Sequence, residues 1–381
     1  MRIGIFTNYF PPSVGGLENS VLSLYDGLKK AGHEVFIFAP KYSSLDKEEK
    51  NIFRCRSLRF KYKGYQYAIT VPFLFGMDSV VKNLHLDIIH SQQPFLLGDE
   101  ALKFSKTLSI PLVFTYHTKY EDHLHYIPFI SKLIPKTYII NKAIAYLNQC
   151  DGVIAPSSSI KKFILSHGAK PSISVIPSGI NIEKFSKDGD GRKRIREKYK
   201  ISNDEVVLVT TSRIAEEKNV KFLINSFSKI FNNNKNVKFI IVGDGPLKKT
   251  LEQMSKELGL EKNIIFTGWI SQEKIVAYYQ ASDIFVFASL TETQGLVVAE
   301  AIVSGLPVVA INASGTEDAV VNGENGFLVE NSVDDFSEKA LKIINDIELR
   351  KKMAAQAKIS SKKFSQELWI KKIISLYESL L

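Results

Sequence analysis

The sequence predicts an α/β protein of two domains, each built on a doubly wound parallel sheet. Two observations carry this. Short apolar runs rich in Val, Ile and Phe alternate with longer amphipathic stretches, the pattern of buried parallel strands joined by crossover helices. That rhythm occurs twice, separated by a polar stretch, KDGDGRKRIREKY at 187–199, where glycines and charges replace the apolar period. A chain of 381 residues, 45% hydrophobic and 24% charged, is long enough to bury two cores.

In the first half the strand candidates are RIGIFT (2–7), EVFIFAP (34–40), DIIHS (87–91), PLVFTYH (111–117), GVIAPS (152–157) and ISVIPSG (173–179). Each is too short for a stable helix, whereas ENSVLSLYDGLKKAG between the first two has helical length and period. The second half repeats the scheme with EVVLVTTS (205–212), VKFIIVG (237–243), NIIFTG (263–268), DIFVFAS (283–289) and LPVVAI (306–311). The polar stretch between them reads as a linker followed by a polar helix. Domains are therefore expected at 1–185 and 186–363. The last stretch, FSQELWIKKIISLYESLL (364–381), is amphipathic and suited to pack back, with the N-terminal domain as one candidate.

Composition narrows the setting. The opening MRIGIFTNYF reaches Thr7 and Asn8 too soon for a secretion signal, and nowhere do about 18 apolar residues run together. The expected compartment is the cytosol. Only two cysteines, Cys55 and Cys150, stand outside any ligand spacing, which argues for inert thiols over a disulfide framework or structural zinc. A net charge of +10 points to an acidic partner: nucleic acid, an anionic membrane or a phosphate-bearing substrate.

Ligands of open parallel sheets gather at the carboxyl ends of strands, so the residues directly after each strand are the informative ones. After the first strand, Gly15 and Gly16 allow close backbone approach, or form a plain turn into a helix. After PLVFTY comes His117, a candidate acid, base or hydrogen-bond donor, followed by Tyr120, Glu121, Asp122 and Tyr126 in TKYEDHLHY. His117, His123 and His125 with Glu121 and Asp122 suggest a metal only superficially, since no second ligand cluster accompanies them. No metal is expected. In the second half, SRIAEEKN places Arg213 and Lys218 on a strand-to-helix loop, a fork-shaped donor and a point charge suited to a diphosphate. The bland reading is a solvated charged loop, because Glu216 and Glu217 lie between them. VGDGPLKKT matches a dinucleotide fingerprint only in part, with Lys248 where a third glycine belongs.

SLTETQGLVVAEAIVSGLPVVA (289–310) poses the sharpest question, because two carboxylates, Glu292 and Glu300, sit with seven residues between them in chain that reads as buried. A buried charge is costly unless paired. Glu300 falls within an apolar helix and can accept both hydroxyls of a ribose diol; Glu292 at its approach can hold sugar hydroxyls. The amides of Thr293, Gln294, Gly295 and Leu296 at the helix start suit a phosphate. Two salt bridges are the alternative, one that leaves the TQG loop unexplained.

TETQGLVVAEAIVSGLPVVA, with SRIAEEKN upstream and NGENGFLV downstream, resembles the retaining glycosyltransferases of family 4. The resemblance spans nearly the whole chain, including the Gly-Gly loop and IPSGIN. It implies the GT-B fold, two Rossmann-like domains facing across a cleft, with an acceptor-side N-terminal domain and a C-terminal domain that binds a nucleotide sugar. It further implies that Glu300 binds the donor ribose, Arg213 and Lys218 its diphosphate, and Glu292 with the TQG amides the transferred sugar. Gly15 and Gly16 would approach that sugar, His117 would sit beside it, and Ile270 would lie near the base. The family's Gly-Ile-Asp reads Gly179-Ile180-Asn181 here, so a role resting on that aspartate is not carried over.

YHTKYEDHLHYIP is similar, more narrowly, to the bacterial diacylglycerol glucosyltransferases. It runs into FISKLIPKTYIINKAIAYLNQ, where Lys132, Lys136 and Lys142 interleave with apolar side chains, as suits an anionic bilayer surface or a helix docked on its own domain. RCRSLRFKYKGYQY (54–67), a basic strand edge, adds to that face or is merely solvated. The expected activity is transfer of a hexose, glucose from UDP-glucose, to diacylglycerol or a related lipid at the inner membrane face, with no cofactor besides the donor and no nucleic-acid partner. Transfer to phosphatidylinositol or a growing polysaccharide is the alternative within the class. A GT-B nucleotide-sugar epimerase and a non-enzymatic nucleotide-sugar binder are the alternatives outside it.

Overall fold

The computed structural model describes residues 1–13, 15–43, 49–62, 65–70, 76–122, 135–186 and 189–381. The chain divides into two compact units, Met1–Gly179 with Gln366–Leu381, and Ile180–Ser365. The first holds β1 (Arg2–Phe6), α1 (Gly16–Lys30), β2 (Glu34–Pro40), β3 (Ile52–Cys55), β4 (Leu58–Tyr62), β5 (Tyr65–Ile69), α2 (Asp78–Asn83), β6 (Ile88–Ser91), α3 (Leu97–Leu108), β7 (Leu112–Thr115), α4 (Lys136–Leu147), β8 (Gly152–Ala155), α5 (Ser158–Ser166) and β9 (Ile173–Val175). The second holds α6 (Ile182–Ser186), α7 (Gly191–Lys198), β10 (Val206–Thr211), α8 (Val220–Asn233), β11 (Val237–Val242), α9 (Lys248–Glu257), β12 (Ile264–Gly268), α10 (Ile275–Ala281), β13 (Ile284–Phe287), α11 (Leu296–Val303), β14 (Val308–Ile311), β15 (Gly326–Val329), α12 (Val333–Asn345) and α13 (Ile347–Ser360). The closing helix α14 (Gln366–Glu378) returns to the first unit.

Strands of the first unit lie in the order β3-β2-β1-β6-β7-β8-β9, all parallel. Neighbouring residues on a strand face opposite sides, so each run feeds two cores. Ile3, Ile5, Ile88, Val113 and Ile154 pack with Val21, Leu24 and Leu28 of α1 and with Trp369, Ile370, Ile373 and Tyr377 of α14. Ile89, Leu112, Phe114 and Val153 pack on the other side with Leu97, Ala101 and Phe104 of α3 and Ile160 and Ile164 of α5. Burial on both faces is why these runs read as continuously apolar. The edge strand β3 and the separate antiparallel hairpin β4–β5 go beyond the six strands expected. IFRC is only half-buried at its centre, so no apolar run announces it. The basic stretch 54–67 thus divides between the end of β3 and that hairpin, with residues 63 and 64 outside the described set.

The second unit has the order β12-β11-β10-β13-β14-β15, again parallel throughout. Helices α8 and α12 cover one face through Leu223, Phe227 and Phe336, while α10 and α11 cover the other through Tyr279, Val298 and Ile302. The edge strand β15, drawn from the NGENGFLV segment, was not among the expected strands because its centre is only half-buried. The polar helix after the linker is α7, and one buried cation anchors it. Arg196, 3% exposed, donates to the carbonyls of Ala281, Ser202 and Glu205 and to Asp283 Oδ2 at 2.8 Å.

In both sheets the order of strand addition reverses once. The chain order turns between β1 and β6 in the first unit and between β10 and β13 in the second, which is where an open parallel sheet leaves a crevice for a ligand.

Candidate active site

At the second unit's reversal, β10 leads into the loop that carries Arg213 and ends in the 3-10 turn Glu216–Lys218, while β13 leads into the loop that carries Glu292. The two loops meet in an ion pair, Lys218 Nζ to Glu292 Oε1 at 2.5 Å, with the side chains 22% and 15% exposed. Arg213 is half-buried in the same loop. The backbone there is tied to the VGDGP segment: Ser212 N–H donates to the Val242 carbonyl, Ile214 N–H to Asp244 and Leu247 N–H to Ile214. That partial fingerprint therefore serves as a brace for the cation loop.

Helix α11 starts at Leu296 with Gly295 in the left-handed region as its cap, and Glu300 lies one turn in. Glu300 Oε2 accepts a hydrogen bond from the Tyr279 hydroxyl at 2.8 Å and Oε1 one from the Gln272 amide at 3.1 Å. Tyr279 is fully buried and its oxygen also lies 2.7 Å from Thr211 Oγ1 at the end of β10. Burial raises the Glu300 pKa, against the two hydrogen bonds and the charge of Lys184. The carboxylates of this stretch are thus satisfied in different ways, Glu292 by a cation and Glu300 by neutral donors.

Gln272 and Tyr279 were not legible as site residues, because a tyrosine in IVAYYQA reads as core. Gly315 is a further one: its φ is +82°, and a Cβ there would lie 2.8 Å from the Gln294 amide nitrogen. The TQG loop rests on it. Gln294 is buried, while Thr293 and Leu296 are half-buried. Ile270, after β12, packs partly on the core beside the exposed Trp269.

In the first unit Gly15 caps α1 in extended conformation and Gly16 opens the helix. The buried Glu18 carboxylate accepts from Ser13 Oγ in the same turn. His117, just past β7, is 2.7 Å from Gln92 Oε1 through Nε2, and burial pulls its pKa down to about 4. A second histidine, His90, is fully enclosed, with Nδ1 2.6 Å from the Tyr377 hydroxyl and Nε2 2.7 Å from Thr115 Oγ1; its pKa is pulled down to about 3. Tyr120, Glu121 and Asp122 form a 3-10 turn in which Tyr120 packs edge-on against Phe95 and Glu121 is buried.

Tyr126 and Lys132, with His123 and His125, lie outside the described residues. Lys136 and Lys142 are exposed on α4, Lys142 standing 5.3 Å over the Phe95 ring. The C-terminal half of α4 is docked, since Ala143, Ile144, Tyr146 and Leu147 enter the core. Its first residues, Lys136 to Tyr138, are exposed. Cys55 and Cys150 are buried thiols, the first pushed up to about 12 by burial.

Two doubly wound parallel-sheet units make up a GT-B fold, and the family and relatives of the chain make it a nucleotide-sugar-dependent hexosyltransferase. The chain belongs to the family 4 glycosyltransferases: residues 14–184 match Glycosyltransferase Family 4 and residues 191–360 match Glycosyl transferases group 1. It is 32% identical to the alpha-monoglucosyldiacylglycerol synthase of Acholeplasma laidlawii, covering 100% of this chain and 98% of that protein. It is 35% identical to the alpha-monoglucosyldiacylglycerol synthase of Streptococcus pneumoniae, covering 81% of this chain and 71% of that protein. In fold it is similar to the sucrose-phosphate synthase of Thermosynechococcus elongatus, with a TM-score of 0.83 at 20% identity over 100% of this chain and 98% of that one.

Proposed function

We propose that this protein transfers glucose from UDP-glucose, with retention of configuration, to diacylglycerol or a closely related membrane lipid. The observation that carries this reading is the end-to-end similarity to an alpha-monoglucosyldiacylglycerol synthase. The placement of Lys218 beside Glu292 at the sheet reversal supports it, since a diphosphate and a hexose must occupy adjacent positions.

In this reading Glu300 accepts the ribose diol, keeping its bonds to Tyr279 and Gln272, and Ile270 borders the base. Arg213 and Lys218 hold the diphosphate with the amides of Thr293 to Leu296, while Glu292 turns from Lys218 to the sugar hydroxyls. Gly15 and Gly16 border the hexose, and the neutral imidazole of His117 hydrogen-bonds it. The acceptor oxygen attacks the anomeric carbon from the face that UDP leaves, and its proton passes to a departing phosphate oxygen. The bond from that carbon to the diphosphate breaks as the new one forms, and the two cations stabilise the growing charge. No cofactor beyond the donor takes part.

No helix among the described residues is long and apolar enough to cross a membrane. We assign access to the lipid to peripheral contact through the exposed lysines around α4, with Tyr120, Glu121 and Asp122 at the acceptor's approach. The test is a donor and acceptor panel with the purified protein. Transfer of glucose from UDP-glucose to dioleoylglycerol in anionic mixed micelles, with an α-anomeric product by NMR, is expected. Transfer of mannose from GDP-mannose to phosphatidylinositol, with diacylglycerol untouched, would sink the reading.

A further inference from the structure

In both units a side-chain contact joins the loops after the two strands that flank the reversal of strand order. In the second unit it is the Lys218–Glu292 pair. In the first, the backbone N–H of Asn8, after β1, donates to Gln93 Oε1, after β6, at 2.6 Å. A backbone N–H can only donate, so this contact fixes which end of the Gln93 amide is oxygen. The NH2 end points elsewhere. Gln93 is 2% exposed, and its Nε2 has no hydrogen-bond partner among the described residues. Gln92 beside it is 1% exposed and equally without a partner at Nε2 among those residues, while its Oε1 faces His117 Nε2 at 2.7 Å.

The loop that carries this pair is held in place. Ser91 Oγ donates to the Gln93 carbonyl at 2.7 Å, and Asn8 Nδ2 to the Phe95 carbonyl at 2.9 Å. Gly98 at the start of α3 comes so close that a Cβ there would sit 1.9 Å from the Gln93 backbone carbonyl oxygen. Two enclosed amide donors on a rigid loop cost folding free energy unless something accepts from them.

We infer that Gln92 and Gln93 form a two-donor subsite for the uncharged oxygens of the acceptor, the glycerol and ester oxygens next to the attacking hydroxyl. This rests on the lipid reading above. Amide N–H groups donate to any oxygen and bring no charge, so they suit an ester and glycerol surface. The same loop sets the acceptor and holds His117, which places the hydroxyl beside the imidazole.

Gln92→Glu and Gln93→Glu test this, because each keeps the Oε1 acceptor for its present partner and puts a charged oxygen, which repels the acceptor's oxygens, where the NH2 donor was. Gln92→Met and Gln93→Met remove both. Urea unfolding with a spectroscopic probe in the first unit reports whether each variant is folded. Steady-state transfer from UDP-glucose to dioleoylglycerol in mixed micelles is the readout. At least a tenfold rise in acceptor KM is expected in both Glu variants, with donor KM within twofold of wild type. Acceptor KM unchanged in the Glu variants and raised only in the Met variants means the amides are structural, and overturns the inference. Donor KM rising in step with acceptor KM overturns it too, since the amides then face the donor. Wild-type protein is first screened on dioleoylglycerol, its monoglucosyl derivative and phosphatidylinositol. Activity on the last alone defeats the lipid reading, while the KM comparison on that substrate still judges the subsite through the glycerol and ester oxygens all three share.

Discussion

Glu300 holds its charge against desolvation with help from Tyr279, Gln272 and Lys184, and the balance leaves its pKa raised. The ionised form is the one that accepts two hydroxyls, so donor affinity should begin to fall at a higher pH, on acidification, than for an ordinary carboxylate. Replacing Glu300 with Ala should weaken UDP binding by about 1–3 kcal/mol, the cost of leaving a ribose diol unpaired. Calorimetric titration measures it, and unchanged affinity in a folded variant would refute the ribose assignment. His117 and His90 give a second pH effect. Their folded pKa values, about 4 and about 3, lie below the ordinary value near 6.5. Above about pH 6.5 neither state binds these protons and nothing is lost. Below it the unfolded chain takes them up and the folded one refuses, so stability falls from about pH 6.5 down to about 4, and further for His90. Urea midpoints across that range should show the decline, and His117→Gln should make it shallower; a slope identical to wild type counts against a neutral, half-buried His117.

At the scale of elements, the TQG loop depends on the turn opposite it. Gly315 has φ +82°, and an added Cβ would approach the Gln294 nitrogen to 2.8 Å and the Glu292 carbonyl carbon and oxygen to 2.9 Å. Gly315→Ala therefore combines a left-handed backbone with a direct clash, a strain of about 1–3 kcal/mol. The expected result is a Tm lower by several degrees and a donor KM raised about tenfold, because the displaced segment carries Glu292 and the cap of α11. Normal Tm and donor KM would show that the loop does not rest on this turn. Helix α14 is an element of another kind, since it follows the second unit in sequence and completes a face of the first. Trp369 is 5% exposed in that core, and Trp369→Ala should cost about 3–5 kcal/mol. Chemical denaturation with a probe in the first unit reads this, and a loss below about 1 kcal/mol would mean α14 is dispensable there.

For the molecule as a whole, the +10 charge and the exposed lysines of α4 bear on where it works. Each lysine near an anionic bilayer contributes about 1 kcal/mol, so the triple substitution of Lys132, Lys136 and Lys142 by Gln should weaken vesicle binding by about a hundredfold at low salt. Raising salt should erase the difference, because the Debye length contracts from about 10 Å at 0.1 M to about 3 Å at 1 M. Co-sedimentation with anionic vesicles is the measurement, and equal sedimentation of wild type and variant would leave the segment as a docking helix alone.

The two-domain parallel-sheet plan was legible because strands buried on both faces must be apolar throughout, as VVLVTT and IFVF are. The Glu292 and Glu300 pair was legible for the converse reason, that carboxylates in such a background demand partners. Half-buried edges escaped, since IFRC and GFLV show neither a continuous apolar run nor a clean alternation. What answers each carboxylate was decided only by tertiary structure: Lys218 lies 74 residues from Glu292, and Tyr279 lies 21 from Glu300. The Gln93 amide, bound to Asn8 across 85 residues, is of the same kind. Apolar period and cost of burial are local properties that each residue carries with it. A hydrogen-bond partner is a fact of three dimensions, set when the strand order places the ends of β1 and β6, or of β10 and β13, side by side.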